Sequence, residues 1–183
     1  MVTYISMLRG INVGGQKSIK MAGLKSLYES VGFTGVTTYI QSGNVVFRSR
    51  SKNAKTVGAE IAKAIHHSYG FTVTVIIRKP EELEKTIKKS PYAGRRGIDE
   101  TRLHVTFLDA KPAPALVGAL VPLAAKSKDE YTVIGMEIYL HCPNGYGTSL
   151  LSNTFFEKHL KVAATTRNWN TVKTLNAMSK EGA

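Results

Sequence analysis

The same order of short secondary-structure signals occurs in both halves of this 183-residue chain, and it constrains the fold more than any other feature. In residues 1–79, β-branched and aromatic runs alternate with stretches whose apolar residues recur at three- and four-residue steps. This pattern predicts strand, helix, strand, strand, helix, strand. That order is typical of the ferredoxin-like split βαβ motif.

The first half carries one signal for each element. Residues 2–9 predict a strand, and the apolar spacing after Met21 predicts a helix that ends at Gly32 as its C-cap. Two strand-like runs around residues 42–44 predict a hairpin. An amphipathic helix from Ala54 and a buried strand over residues 71–78 complete the unit.

The order returns after residues 80–100, which predict a helix beginning at Pro80 and then a loop. Strand, helix, hairpin, helix and short strand signals follow, and Asn168 is predicted to cap a last helix. We therefore predict an α+β fold with two ferredoxin-like plaits, residues 1–79 and 101–183, each with an antiparallel sheet. Extra helices lie in the linker, residues 80–100, and at the C-terminus.

Positive charge is concentrated in the first half of the chain. Residues 1–79 hold 11 Lys or Arg against two Glu, whereas residues 80–183 hold 14 against 11 acidic residues. Such an imbalance favours anionic partners such as nucleic acid or a nucleotide. The alternative is that the charge only keeps the protein soluble.

Several classes of protein do not fit the composition. No run is apolar and long enough to span a membrane, and the first residues lack the features of a signal peptide. The single cysteine, Cys142, cannot form an intramolecular disulfide and fits a reducing compartment. We expect a cytoplasmic protein with no membrane partner, no metal site and no cofactor.

Residues 9–18, RGINVGGQKS, lie between the first strand and the first helix. Gly10 and Gly15 have the spacing of a P-loop, but Gln16 separates Gly15 from Lys17, so the lysine is out of register with a phosphate cradle. This departure argues against a nucleoside-triphosphatase.

A more general anion site is still predicted at this loop. It would combine the backbone N–H groups of Gly14 and Gly15, the positive end of a helix starting near Ile19, and the charges of Arg9 and Lys17. Alternatively, the glycines only supply positive φ angles for a long connection, and Ser18 caps the helix.

The antiparallel pairing of the first and third strands predicts that this loop lies beside the turn at residues 41–44. Asn12, Gln41, Ser42 and Asn44 would then add donors and acceptors around Arg9. The alternative is a purely structural polar latch between turn and loop.

Two further segments are candidates for ligand binding. In residues 142–149, CPNGYGTS, an exposed Tyr146 is predicted to be able to stack on a base, and Thr148 or Ser149 to cap a helix at residue 150. In residues 165–169, TTRNW, Arg167 and Trp169 form a ligand surface or fill the core.

The sequence contains no recognisable combination of catalytic residues. His66 and His67 are adjacent on a predicted helix, so they cannot both coordinate one metal ion as histidines four residues apart can. The third-strand region has a single aromatic residue, Phe47, which argues against RNA reading on the sheet face.

Three motifs resemble a bacterial family, domain of unknown function 1697. They are RGINVGG, TYIQSGNVVF and TTRNWNTVKTL, so the resemblance spans essentially the whole chain. It implies a pair of α/β plaits and brings no established activity, cofactor or catalytic residue. The matching residues are Arg9, Gly10, Asn12, Gly14, Gly15, Ser42, Gly43, Asn44, Arg167, Asn168 and Trp169.

The leading hypothesis is a protein that binds nucleic acid or a nucleotide at residues 9–18 and 41–44. The alternatives are an enzyme acting on a phosphorylated small molecule in a cleft between the plaits, with His104 or His141 as acid–base groups, and a protein-interaction module using an exposed sheet edge. The candidate ligand-binding residues are Arg9, Asn12, Gly14, Gly15, Lys17, Ser42, Asn44, Arg167 and Trp169.

Overall fold

The computed structural model describes residues 1–181, which form two four-stranded antiparallel sheets and six α-helices. The strands are β1 (Val2–Leu8), β2 (Thr34–Tyr39), β3 (Asn44–Ser49), β4 (Val75–Arg78), β5 (Leu103–Leu108), β6 (Glu130–Ile134), β7 (Glu137–His141) and β8 (Ala164–Asn168). The helices are α1 (Met21–Ser30), α2 (Ala54–Tyr69), α3 (Pro80–Lys88), α4 (Pro114–Ala124), α5 (Asn153–Leu160) and α6 (Trp169–Glu181). The α+β class predicted from the sequence is confirmed.

The chain divides into two compact units. The first contains Met1–Lys85 together with residues 174–181, and the second contains Thr86–Lys173. In the first unit the strands lie in the order β2-β3-β1-β4, and in the second in the order β6-β7-β5-β8.

Aromatic side chains build the core of the first unit between its sheet and its helices. The ring of Tyr28 meets Phe47 edge-on with centroids 5.2 Å apart, and Phe33 lies 4.7 Å from Phe47. The Tyr28 hydroxyl is 2.8 Å from the hydroxyl of Ser6, which satisfies both polar groups in a fully buried setting. Burial raises the pKa of Tyr28, so this phenol stays neutral.

Strand β4 is shorter than the predicted strand over residues 71–78. Strand β1 pairs with β4 only from Ile5 to Leu8, so the residues before Val75 have no partner strand. Their carbonyls are bound from the loop instead, since the Arg9 N–H donates to the Thr74 oxygen at 3.0 Å.

Helix ends show where the cap predictions hold and where they are wrong. Gly32 follows α1 with φ +96°, as its predicted role requires, and Asn168 caps α6 by accepting from the Thr171 N–H at 2.8 Å. Ser18 does not cap α1, because that helix begins only after Lys20.

The predicted cap of α5 is also wrong. Helix α5 begins at Asn153, and Ser152 caps it by accepting from the Phe155 N–H at 3.2 Å. The hydroxyl of Ser149 lies earlier in the chain and bonds instead to the Asp129 carboxylate at 2.6 Å.

The core of the second unit lies between its sheet and helices α4 and α5. It includes Leu120, Leu140, Cys142 and Phe156, all fully buried. Helix α4 is the most apolar helix, with 11 residues. Among the helices of residues 1–181, none is long and apolar enough to cross a membrane.

Cys142 provides a test of this core. Burial, with Asp129 nearby, raises the pKa of its thiol to about 11, so at pH 7.5 on the order of one thiol in a thousand or fewer is ionised. We expect its reaction with a disulfide reagent to be slow in the folded protein and to accelerate until the pH reaches about 11.

The unfolded thiol ionises first, at about pH 8.5, so this group also lowers stability as the pH rises from there toward about 11. Reaction rates measured against pH in buffer and in urea check both statements. A native rate equal to the rate in urea would contradict the buried position.

Candidate functional site

The loop between β1 and α1 contains a small hairpin. Val13 and Gln16 pair across Gly14 and Gly15, whose φ angles are +60° and +74°. Two consecutive left-handed residues are what a mirror-image turn of type I′ requires, so the glycines have a structural reason to be there. The residues of this tip are exposed.

Asn12 fixes the base of this hairpin. Its side-chain oxygen accepts from the Ile19 N–H at 2.8 Å, and its side-chain nitrogen donates to the Ile19 carbonyl at 3.0 Å. The same nitrogen donates to the Gln41 carbonyl at 2.7 Å. One amide thus closes the loop on itself and joins it to the β2–β3 turn.

The turn also approaches the loop through its backbone. The Leu8 N–H donates to the Gly43 oxygen at 3.0 Å. A Cβ atom on Gly43 would lie 2.7 Å from the Ile11 side chain and 2.8 Å from that of Leu8. The predicted proximity of loop and turn is confirmed, and only glycine fits this contact.

Asn44 and Ser42 shape the turn from inside. Asn44 is fully buried, and its amide donates to the Tyr39 carbonyl at 3.2 Å and to the Ser42 hydroxyl at 2.8 Å. These two side chains therefore hold the turn itself, whereas the side-chain bond between loop and turn comes from Asn12.

The cations of the loop differ in exposure. Lys17 is exposed, and its amine donates to the Thr72 carbonyl at 2.7 Å. Arg9 is half-buried at the end of β1. Because α1 begins at Met21 rather than near Ile19, its positive end lies at Lys20, beyond the glycine tip.

Two exposed aliphatic residues beside these cations escaped the sequence analysis. Val13 at the hairpin tip is 67% exposed, and Ile40 in the adjoining turn is 49% exposed. Ile40 has φ +49°, a conformation that β-branched residues rarely adopt. Hydropathy predicts that valine and isoleucine are buried in the core, so no local sequence signal predicts that these two residues are exposed.

Arg167 and Trp169 belong to the second unit, and both are buried. The Arg167 guanidinium donates to the Thr165 hydroxyl at 2.8 Å and to the Thr166 carbonyl at 2.9 Å. These positions match the core-filling alternative for the TTRNW segment.

Tyr146 is half-buried rather than exposed as predicted. Its ring stacks on His104 at 4.9 Å, and its hydroxyl donates to the Thr166 hydroxyl at 3.0 Å. Burial lowers the pKa of His104, which favours the neutral ring at pH 7. One face of the Tyr146 ring is thus engaged within its own unit.

The two histidines named as acid–base candidates do not face each other. His104 pairs in register with Leu140, so His141, the next residue, points to the opposite side of the sheet. Its Nδ1 atom lies 2.9 Å from the Glu130 carboxylate. Within residues 1–181, no three His, Cys, Asp or Glu side chains come together to hold a metal ion.

The chain belongs to a family of proteins of unknown function, DUF1697, whose sequence profile matches residues 1–139. The two glycine-containing motifs of the first half fall inside that range, and TTRNW lies beyond it. No curated protein matches the sequence.

A solved structure is also similar, that of the conserved bacterial protein SP0830 from Streptococcus pneumoniae. The two share 22% sequence identity, the match covers 97% of this chain and 98% of that one, and the TM-score is 0.68. At this identity the likeness shows a shared fold.

The bonds of Asn12 can be removed without straining the backbone. Asn12 has φ +55°, which glycine adopts freely, so Asn12→Gly isolates the loss of the side-chain amide. We expect this variant to lower the free energy of unfolding by about 2 kcal/mol, since it leaves the buried Ile19 N–H without its acceptor. Urea denaturation measures it, and an unchanged midpoint would contradict the latch.

Gly43 and Gly14 form a matched pair with similar φ angles, +73° and +60°. Gly43→Ala should destabilise by about 2–4 kcal/mol because its Cβ atom overlaps Leu8 and Ile11. Gly14→Ala meets nothing within 4 Å and should cost about 1 kcal/mol for its backbone conformation alone. Equal losses in the two variants would show that turn and loop are not in contact.

Proposed function

We propose that the paired loops of the first unit, residues 9–18 and 41–44, bind the phosphates of an anionic ligand, with nucleic acid the leading class. The observation that carries the proposal is an exposed two-glycine turn with a lysine beside it. Gly14 and Gly15 are exposed in this turn and Lys17 follows two residues later, so the backbone N–H groups of the two glycines are the proposed donors to the phosphate.

The charge of the surrounding unit supports this assignment. Lys17 and Lys20 are both exposed and follow the glycine turn within a few residues. Residues 1–79, which make up most of this unit, hold 11 basic and two acidic residues, so this part of the chain attracts polyanions before any specific contact forms.

The candidate residues divide into two roles. Arg9 and Lys17 supply charge, and Gly14 and Gly15 supply backbone donors. Asn12 joins the two loops through its bond to the Gln41 carbonyl, and Ser42 and Asn44 hold the shape of the β2–β3 turn. Arg167 and Trp169 are both buried and are not assigned to the ligand.

Each unit is further proposed to be a ferredoxin-like plait. The supporting observation is that the first and third strands of each unit are the central pair, as the orders β2-β3-β1-β4 and β6-β7-β5-β8 show. Contact through loops at one end of such a sheet involves phosphates rather than base edges and brings little sequence preference.

The lone buried thiol of Cys142 supports a cytoplasmic location.

The test is fluorescence anisotropy of labelled single- and double-stranded oligonucleotides at several salt concentrations. We expect micromolar binding that weakens steeply with salt. The double variant Arg9→Ala with Lys17→Ala removes two cations, so its slope of log K against log salt should be shallower by about 1.8 for double-stranded DNA.

A second double variant controls for net charge. Lys55→Ala with Lys63→Ala removes two exposed cations from α2 of the same unit. We expect it to bind more tightly than the Arg9 and Lys17 variant at every salt concentration. If both variants lose the same affinity while folded, the binding is a general charge effect and the loop assignment fails.

A further inference from the structure

The paired loops of the first unit carry two aliphatic side chains in solvent beside their cations. Val13, at the tip of the hairpin, is 67% exposed, and Ile40, in the turn between β2 and β3, is 49% exposed. Together they form the aliphatic pair of this surface. Lys17 and Lys20 are exposed in the same connection as Val13. Phosphate contacts alone give the aliphatic pair no role, because both side chains are neutral and apolar.

The side-chain amide of Asn12 joins the two segments that carry the aliphatic pair. Asn12 directly precedes Val13 in the chain, and Gln41 directly follows Ile40. The Asn12 amide donates to the Gln41 carbonyl at 2.7 Å. Each aliphatic residue is therefore the chain neighbour of one end of this hydrogen bond, so both belong to the surface where loop and turn meet.

The backbone of Ile40 is strained. Its φ angle is +49°, and this left-handed region is unfavourable for a β-branched side chain. Glycine or asparagine adopts the same conformation at lower cost. Core packing does not offset the strain fully, because 49% of the side chain is exposed. Strain at an exposed position points to a role for this side chain outside the fold.

The faces of the two central strands, β1 and β3, are closed to a ligand. Tyr4 pairs with Phe47 and Ile5 with Val46, so these two pairs mark opposite faces of the sheet. All four residues are buried. A nucleic acid held at the paired loops therefore meets loop side chains and does not lie on the faces of these strands.

The accessibility of the bases decides which form of nucleic acid this surface fits. In a duplex the base faces are stacked inside, and an aliphatic side chain reaches them only by unstacking a step and kinking the duplex. In a single strand the base faces are open, and contact with them tolerates any sequence. The aliphatic pair leaves water against these open faces without the cost of unstacking a duplex.

We propose that the aliphatic pair makes the site selective for single-stranded nucleic acid. This inference rests on the proposed function: Lys17 and the N–H groups of Gly14 and Gly15 hold phosphates, while Val13 and Ile40 contact the faces of neighbouring bases. The base contacts are apolar and release no counterions, and duplex binding weakens more steeply with salt than single-strand binding. Selectivity for the single strand therefore rises with salt concentration.

The test uses fluorescence anisotropy with three labelled probes at several salt concentrations. They are a strand of about twelve nucleotides, its duplex, and a base-free sugar-phosphate strand of equal length. Val13→Ser with Ile40→Asn removes the aliphatic pair without changing the charge, and asparagine tolerates the φ angle of Ile40. We expect this variant to bind the single strand about tenfold more weakly at each salt concentration. Its affinity for the duplex and for the base-free strand should be unchanged.

Two exposed aliphatic residues of the second unit provide a matched control. Val121 is 65% exposed and Leu123 is 41% exposed, close to the values of the aliphatic pair. Both lie on α4, where glutamine keeps a helix propensity similar to that of leucine. Val121→Ser with Leu123→Gln should leave the binding of all three probes unchanged. Urea denaturation establishes that each variant is folded.

A tryptophan substitution at the hairpin tip reports the base contact directly. The only tryptophan of the chain, Trp169, is buried, so an exposed indole gives a separate signal. Val13→Trp should bind the single strand about tenfold more tightly, and the indole emission should be quenched as the bases stack on it. Val121→Trp, the control at a similarly exposed position, should show neither change.

The outcomes separate this inference from the proposed function. If the unchanged protein binds no oligonucleotide, the proposed function fails and the selectivity fails with it. If binding depends on Arg9 and Lys17 but the folded Val13→Ser with Ile40→Asn variant keeps its single-strand affinity, only the selectivity is wrong. Equal losses for the single strand and the base-free strand would also overturn it. Binding to phosphatidylcholine–phosphatidylserine vesicles that this variant loses, with its single-strand affinity intact, would assign the aliphatic pair to a lipid surface instead.

Discussion

The side-chain amide of Asn12 is the contact on which the loop surface of the first unit depends. The hairpin at residues 13–16 is very short, and so short a hairpin is marginal in water without further contacts. Asn12 binds both backbone groups of Ile19 on one side and the Gln41 carbonyl on the other. These bonds hold the base of the loop that carries Gly14, Gly15 and Lys17 against the β2–β3 turn.

The order of elements was predictable because each element carries its own local signal. The apolar spacing of α2, the turn at Gly135 and the cap at Asn168 all depend on residues within a few positions of one another. The caps at Ser18 and Ser149 were mispredicted for the same reason. A hydroxyl near the start of a helix is a local signal for a cap. That hydroxyl can instead bond to a residue distant in sequence, as Ser149 bonds to Asp129.

The site was predictable in position and less so in the roles of its residues. Antiparallel pairing of β1 with β3 was enough to bring residues 9–18 beside residues 41–44. Whether an asparagine faces a ligand or its own backbone depends on tertiary geometry, and here Asn12 and Asn44 face their own unit. The exposure of Val13 and Ile40 depends on the same geometry and has no sequence signature.

The first unit combines segments that are far apart in the sequence, since residues 174–181 belong with Met1–Lys85. In the later segment, Lys180 lies 3.5 Å from Glu84, and Leu175 is fully buried. During synthesis the first sheet can therefore form early, but its unit is complete only when helix α6 has left the ribosome. Such late closure raises the contact order of the unit and ties its final stability to the presence of α6.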